Sequence, residues 1–280
     1  MPEVCLGLIG DNIRASRSPD LHRLAGAMCG LKVSYDLFIP PAMGLPFEAV
    51  LDACRDDGLA GVNVTLPYKE RVVPLVRVDD PAIARIGSVN TVCFTGDGAR
   101  GFNTDHSGFV AAYRGAYGGA APGRVALIGA GGVGRAIGFA LLALGAAEVI
   151  LIDSDPVRAA HLAAAMADAG GARIRTAGIE AVAGSDGVVN ATPLGMVGYP
   201  GSPVPDGAFA KGGWAFDAVY TPVLTPFRAQ ALAAGARFLS GWELFFHQGI
   251  DAFGLFTGRR PADLMRLRIA LEDPGLRAAG

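Results

Sequence analysis

Short apolar runs alternate with stretches whose apolar residues recur at helical spacing, and this alternation runs through most of the chain. Val4 to Ile9 predicts a first strand, closed by Gly10 and a polar loop through Pro19. Asp20 to Cys29 predicts a helix and Val33 to Ile39 a second strand. After a Pro/Gly-rich connection, Phe47 to Asp56 predicts a helix, and Gly61 to Leu66 a third strand stopped by Pro67. Helix and loop material reaches Gly87, and Ser88 to Phe94 reads as another strand. Thr95-Gly-Asp-Gly is a hairpin signal, because those residues tolerate positive φ. Gly101-Phe-Asn-Thr-Asp then returns the chain into a helix starting near Ser107.

Between Gly115 and Gly123 the composition shifts to Gly, Ala and Pro, which marks a domain boundary. Beyond it come strand Val125 to Ile128, helix Val133 to Leu144, strand Glu148 to Ile152 and helix Pro156 to Ala169. Later strands are predicted at Arg173 to Ala177, Gly187 to Asn190, Trp214 to Val219 and Arg237 to Leu239, with loop over Gly201 to Gly207 and a helix over Pro226 to Ala234. Trp242 to Leu271 has a helical period carrying Phe245, Phe246, Ile250, Phe253 and Leu255.

The glycines between the first strand and helix of this second half read G-x-G-x-x-G, at Gly129, Gly131 and Gly134. The first permits a tight turn, the second lets the backbone approach a pyrophosphate, and the third lets the helix pack closely on the sheet. The helix start, over Ala130, Gly132 and Val133, then offers N–H groups and a positive dipole end to the phosphates. Asp153 lies 24 residues past Gly129, at the end of the next strand, where a carboxylate can bond an adenosine ribose. A Gly-rich turn with an incidental aspartate is the plainer alternative. The expected fold is α/β with two domains: an N-terminal α/β substrate domain over 1–114 and a Rossmann-like dinucleotide-binding domain over 115–240. A C-terminal helical segment, 241–280, would pack back on the first.

Composition narrows the function classes. At 280 residues, 51% hydrophobic and 18% charged, with a net charge of −2, the chain reads as a soluble enzyme-like protein. That charge gives no reason to expect nucleic acid or an acidic membrane surface. No stretch is apolar for long enough to suggest a membrane span, and the N-terminal apolar run is too short for a signal peptide. Cys5, Cys29, Cys54 and Cys93 are scattered, which suggests reduced thiols in a cytoplasmic protein. His22, His106, His161 and His247 are equally dispersed, so no metal is expected. Whether the chain is a monomer or a homodimer stays open.

Three polar clusters follow apolar segments: Ser16-Arg-Ser-Pro19, Asn63-Val-Thr-Leu-Pro-Tyr-Lys69, and Asn90 with Asn103-Thr-Asp105. Ligands of α/β sheets bind beyond the carboxyl ends of strands. Hydroxyls can hold a carboxylate, amides and Asp105 can bond hydroxyls, and a Lys beside an Asp can relay a proton. Each cluster has a plainer reading: Ser18 as an N-cap with Pro19 at the first helical position, Lys69 and Glu70 on a solvated face, Asp105 as the cap of the next helix.

Taken together, these segments resemble the shikimate/quinate dehydrogenase family over nearly the whole chain. The matching pieces are Ser16-x-Ser-Pro, Gly61-x-Asn-Val-Thr-x-Pro-x-Lys69, Gly87-x-Val-Asn-Thr, Asn103-Thr-Asp105, Gly129-Ala-Gly-Gly-x-Gly, Asn190-Ala-Thr-Pro and Gln248. The resemblance implies reversible hydride transfer with a dinucleotide, in a cleft between two domains. It assigns Ser16 and Ser18 to the substrate carboxylate, and Asn90, Asp105 and Gln248 to ring hydroxyls, with Thr65 and Tyr220 nearby. Lys69 would be the catalytic group, working with Asp105. Arg158, Asn190, Thr192, Val219 and Leu244 join the glycine loop and Asp153 as cofactor residues.

Two departures matter. Family members selective for NADP carry a basic loop after the second nucleotide-domain strand, whereas this chain has Asp153-Ser-Asp-Pro; with Ser16-Arg-Ser-Pro and His106, that resembles the NAD-dependent branch. Leu244 stands where the family usually has Met. Ser18, rather than the Thr associated with quinate use, leads to an expectation of shikimate as the preferred substrate. A biosynthetic place in the shikimate pathway and a catabolic one in quinate breakdown stay open. So do two other functions: a methylene-tetrahydrofolate dehydrogenase-like enzyme, against which the serine pair speaks, and a non-catalytic NAD- or metabolite-sensing protein.

Overall fold

A computed structural model describes residues 1–272. Its first sheet consists of β1 (Glu3–Ile9), β2 (Lys32–Phe38), β3 (Gly61–Val64), β4 (Thr91–Thr95) and β5 (Gly98–Phe102). Their order is β2-β1-β3-β4-β5, with β1 parallel to β2 and β3, and β4 antiparallel to both β3 and β5. Helix α1 (Ser18–Met28) links β1 to β2; α2 (Pro40–Met43) and α3 (Phe47–Asp56) link β2 to β3. The short α2 occupies part of the connection that reads as Pro/Gly-rich loop. Phe47, Val50, Leu51 and Cys54 of α3 pack on Val62 and Val64, filling one core of this sheet. The chain reaches β4 through α4 (Pro81–Ile86), which Asp80 caps by accepting the Ala82 amide and Gly87 ends at φ 64°. Gly98 at φ 111° makes the β4–β5 turn that Thr95-Gly-Asp-Gly predicts.

Helix α5 (Thr104–Tyr117) leads to a second sheet of β6 (Arg124–Ile128), β7 (Glu148–Ile152), β8 (Arg173–Thr176), β9 (Gly187–Asn190), β10 (Trp214–Asp217) and β11 (Arg237–Ser240). The order is β11-β10-β9-β6-β7-β8 and every neighbouring pair is parallel. Sheets of this kind are buried on both faces, which explains why β6, β7 and β9 are continuous apolar runs. Crossovers run through α6 (Gly132–Ala143), α7 (Pro156–Ala167) and α8 (Pro226–Ala233). The strand order reverses between β6 and β9, the place where such sheets open a binding crevice.

The tail forms two helices rather than one period, α9 (Gly241–Thr257) and α10 (Leu264–Glu272), parted by Gly258 at φ 65° and Pro261. Residues 273–280 of the expected C-terminal segment lie outside the described residues. By packing, the chain divides into two compact units: Met1–Thr104 with the chain from Gln248 onward, and Asp105–His247. Within the first, α10 rests on α1, and Arg17 Nη2 donates to the Leu271 carbonyl at 2.5 Å.

Several element ends differ from expectation, and side-chain or loop bonds account for them. Strand β3 stops at Val64 because the chain turns there, with Tyr68 N donating to the Thr65 carbonyl at 2.8 Å. Strand β4 starts at Thr91, not Ser88, since Val89 N is diverted to the Lys69 carbonyl. Helix α5 starts at Thr104, earlier than Ser107, its first amide held by Asn90 Oδ1 at 2.7 Å. Strand β10 ends at Asp217, whose carboxylate takes the Val219 amide.

Candidate active site

In the first unit, strand register brings several chain ends to one edge. Ile9 lies beside Val64, Asn63 faces Thr91 at the start of β4, and Thr91 faces Phe102 at the end of β5. The polar clusters hang from these ends. After β1, Ser16 Oγ donates to Ser18 Oγ at 3.1 Å and accepts the Ser18 amide at 3.2 Å. The reading of Ser18 as the cap fails: α1 begins at Ser18 itself, the preceding residue Arg17 makes no side-chain cap bond, and the first amide is taken by Ser16. The loop is braced against the next one, since Tyr68 Oη donates to Asp11 Oδ1 at 2.6 Å.

After β3, Thr65 N donates to the Ile9 carbonyl at 2.9 Å, and the Lys69 carbonyl accepts Val89 N at 2.8 Å. That bond ties the Lys69 peptide to the residue preceding Asn90. Lys69 is half-buried while Glu70 is exposed, so the two do not share a solvated face. Asn90 is buried and its amide organises the edge. Its Oδ1 accepts the Thr104 amide at 2.7 Å, and its Nδ2 donates to Thr104 Oγ1 at 3.0 Å and reaches Gln248 Oε1 at 3.5 Å. Thr104 Oγ1 also lies 3.3 Å from Gln248 Oε1. Asp105, the second residue of α5, is buried and inside the helix rather than at its cap.

Asn63, Thr91 and Thr104 carry this arrangement; Asn63 and Thr104 lie in the polar clusters of the sequence, but none of the three has an individual role assigned there. Asn63 Oδ1 accepts from Tyr35 Oη at 2.8 Å, and its Nδ2 donates to Thr91 Oγ1 at 3.1 Å and to the Asn90 carbonyl at 3.3 Å. A polar residue inside a strand that is otherwise wholly buried is the signal that could have found it. Behind this network His22 stacks on Tyr35 at 4.7 Å, its Nδ1 without a partner. Burial pushes its imidazole down to about 3, with the Asn63 bond opposing.

In the second unit the glycine loop leaves β6 at the switch point. Gly129 has φ 101°, and a Cβ on it would lie 2.8 Å from the Ala191 carbonyl. A Cβ on Gly134 would strike the Gly129 carbonyl oxygen, which is the close helix–strand approach this glycine permits. Gly131 differs: its Cβ would meet nothing nearer than Arg158 Nη1 at 3.9 Å, so the backbone there can be approached. α6 starts at Gly132, with Val133 following and its N-terminal dipole end at the same place. Asp153 Oδ2 accepts the Ala130 amide at 2.7 Å and Oδ1 the Asp155 amide at 2.9 Å, which holds the carboxylate beside the loop. Asp155 caps α7, so Arg158 sits in its first turn, exposed, with its guanidinium over Gly131. An open glycine backbone, a helix N-terminus and a neighbouring carboxylate fit a dinucleotide.

Asn190 and Asp217 end β9 and β10 side by side, both fully buried. Burial pushes the Asp217 carboxyl up to about 6, while bonds from Thr225, Val219 and Asn190 pull it back. Thr192 is half-buried and donates from N and Oγ1 to Asn190 Oδ1, at 3.0 and 2.7 Å. Val219 and Leu244 are buried. Tyr220 stacks on Phe245 with ring centroids 4.9 Å apart. Among the described residues no group of three or more His, Cys, Asp or Glu could hold a metal ion, and no helix is long and apolar enough to cross a membrane.

The shikimate dehydrogenase substrate binding domain model matches residues 8–92, and a model described as NADP oxidoreductase coenzyme F420-dependent matches residues 124–198. The chain is 39% identical over 274 residues to the quinate/shikimate dehydrogenase (NAD(+)) of Corynebacterium efficiens, covering 95% of this chain and 96% of that protein. It is also 39% identical over 281 residues to the shikimate dehydrogenase (NADP(+)) of Streptomyces avermitilis, covering 98% and 97%. Among solved structures, quinate dehydrogenase from Corynebacterium glutamicum in complex with NAD superposes with a TM-score of 0.86 at 35% identity, over 96% of this chain and 99% of that one. Shikimate 5-dehydrogenase from Thermus thermophilus in complex with NADP(H) and shikimate gives 0.83 at 34% identity, over 96% and 98%.

Proposed function

The chain belongs to the shikimate/quinate dehydrogenase family, and from that premise we propose how its own residues carry out the reversible NAD-dependent oxidation of shikimate to 3-dehydroshikimate. Family membership removes the folate-type dehydrogenase and the non-catalytic sensor from consideration. The observation that carries the mechanism is the bond from Val89 N to the Lys69 carbonyl, which sets Lys69 beside the segment bearing Asn90.

In oxidation Lys69 Nζ takes the proton of the reacting hydroxyl; in the reverse direction it returns that proton to the developing alkoxide. A positive group aimed at that oxygen favours the transition state over the ground state. Asp105 orients Lys69 and the hydroxyl. Ser16 and Ser18, already paired, grip the carboxylate, while Asn90, Gln248, Thr65 and Tyr220 bond or border the ring. When bound, NAD supplies the hydride chemistry. The open backbone at Gly131 and the start of α6 would hold its pyrophosphate with Arg158, Asp153 would take its adenosine ribose, and Thr192, Val219 and Leu244 would line the nicotinamide side. The four cysteines are unpaired, which supports a cytoplasmic location.

Quinate is the second substrate, favoured by the names of the Corynebacterium relatives. Product analysis tests the reading. Shikimate and NAD should yield one equivalent each of 3-dehydroshikimate and NADH, with quinate oxidised more slowly. Absence of the keto acid, or quinate as the clearly better substrate, would overturn the respective part.

A further inference from the structure

Asn190 is the cofactor-end residue whose surroundings least resemble a ligand contact. It is fully buried, and all its amide groups are engaged by the protein. Its Oδ1 accepts Thr192 N and Thr192 Oγ1, and its Nδ2 donates to the Leu194 carbonyl at 3.1 Å and to Asp217 Oδ1 at 2.9 Å. Asp217 faces it in register on the neighbouring strand. Besides Asn190, its Oδ1 accepts Val219 N at 3.0 Å, and its Oδ2 accepts Thr225 Oγ1 at 2.6 Å. Thr225 Oγ1 in turn accepts Arg228 N at 3.1 Å, the first-turn cap of α8.

This pair thus fastens the exit loops of two strands. One runs from Ala191 to Leu194, and the other from Ala218 to Thr225. The first of these also packs on the glycine turn, since a Cβ on Gly129 would meet the Ala191 carbonyl and, at 3.1 Å, Thr192 Cγ2. Three donors converge on a group that only accepts, so a carboxylate suits the place.

We propose that Asn190 and Asp217 are positioning residues for NAD, a buried clamp that sets Thr192 and Val219 at the cofactor end of the sheet without either touching the cofactor. This reassigns Asn190 from cofactor contact to support, and adds Asp217 and Thr225 to the cofactor-binding apparatus. The inference rests on the NAD reading above, so the experiment first measures NAD binding to the parent protein by calorimetry; a parent that binds no NAD overturns that reading and this one with it.

The test proper compares Asn190→Ala, Thr225→Val and Thr225→Ser, each checked for folding by thermal melting. Thr225→Val removes one bond to Asp217 from a loop that Asn190 does not occupy. Hydrogen bonds to a charged group are worth roughly tenfold or more in an equilibrium. The clamp predicts that the NAD dissociation constant rises about tenfold in both Asn190→Ala and Thr225→Val, that Thr225→Ser restores it, and that the KM for shikimate stays within about twofold. If Asn190→Ala fails to fold, the Thr225 pair alone decides. Loss of NAD affinity in Asn190→Ala with none in Thr225→Val would mark Asn190 as a direct contact and overturn the proposal. So would NAD affinity within twofold of the parent in every folded variant, or equal losses of NAD and shikimate affinity.

Discussion

Both oxygens of Asp153 are held by backbone amides of Ala130 and Asp155, and on the proposed assignment its carboxylate would meet the additional phosphate of NADP. Repulsion in a partly buried site costs about 1–3 kcal/mol, roughly tenfold to a hundredfold in efficiency. Asp153→Ser should therefore narrow the NAD-over-NADP ratio by about tenfold, with Arg158 left in place to receive the phosphate; steady-state kinetics with both cofactors would reveal an unchanged ratio if the carboxylate is not the discriminator. Lys69→Ala should lower turnover by about 10² to 10⁴, the usual worth of general acid–base help, while NAD affinity measured by calorimetry stays at the parent value. Turnover within threefold of the parent would remove Lys69 from the mechanism. Ser18 is buried and bonded to Ser16, so the methyl added by Ser18→Thr must restrict the hydroxyl and, with Ser18 gripping the carboxylate as proposed, would reshape the room around C1 of the substrate. The ratio of quinate to shikimate efficiency should rise; an unmoved ratio would place specificity elsewhere in the site.

Two glycines of one turn make opposite predictions at the scale of the element. Gly134→Ala drives a methyl into the Gly129 carbonyl at the β6–α6 junction, and overpacking of this kind costs about 1–3 kcal/mol. Gly131→Ala meets no backbone and has an ordinary φ of −77°, so it should melt like the parent yet bind NAD poorly, because on the proposed assignment its methyl would project where the pyrophosphate approaches. Thermal melting and NAD calorimetry on both variants separate the two; a destabilised Gly131→Ala that still binds NAD would contradict the assignment. These elements were legible because their causes are local. Helix Phe47–Asp56 and strands Glu148–Ile152 and Gly187–Asn190 have the ends their apolar patterns predict. The starts of α5 and β4 and the end of β10 were not legible. Each is decided by a bond to a group outside its own pattern: Thr104 N to Asn90, Val89 N to Lys69, Val219 N to Asp217. Periodicity also says nothing about what lies beside a strand, so it shows neither Asn63 as a support for Thr91 nor Asp217 as a support for Asn190.

At the scale of the whole molecule, folding depends on acidity through His22. Buried against Tyr35, Phe253, Phe256 and Asn63, it is held neutral, its pKa pushed down by burial to about 3 in the folded state from the ordinary 6.5 of an exposed imidazole. Below 6.5 the unfolded chain binds a proton that the folded chain refuses, so stability is complete above that pH and is lost as pH falls toward 3, at up to about 1.4 kcal/mol per pH unit. Denaturant titrations over this range should show a shallower acid decline for His22→Phe, and parallel curves would rule out His22 as the source. The central reaction offers the most direct test at this scale. Initial rates of shikimate-dependent reduction should give a kcat/KM with NAD at least about tenfold above that with NADP. Absence of shikimate-dependent NADH formation, or an efficiency with NADP equal to or above that with NAD, would contradict the account.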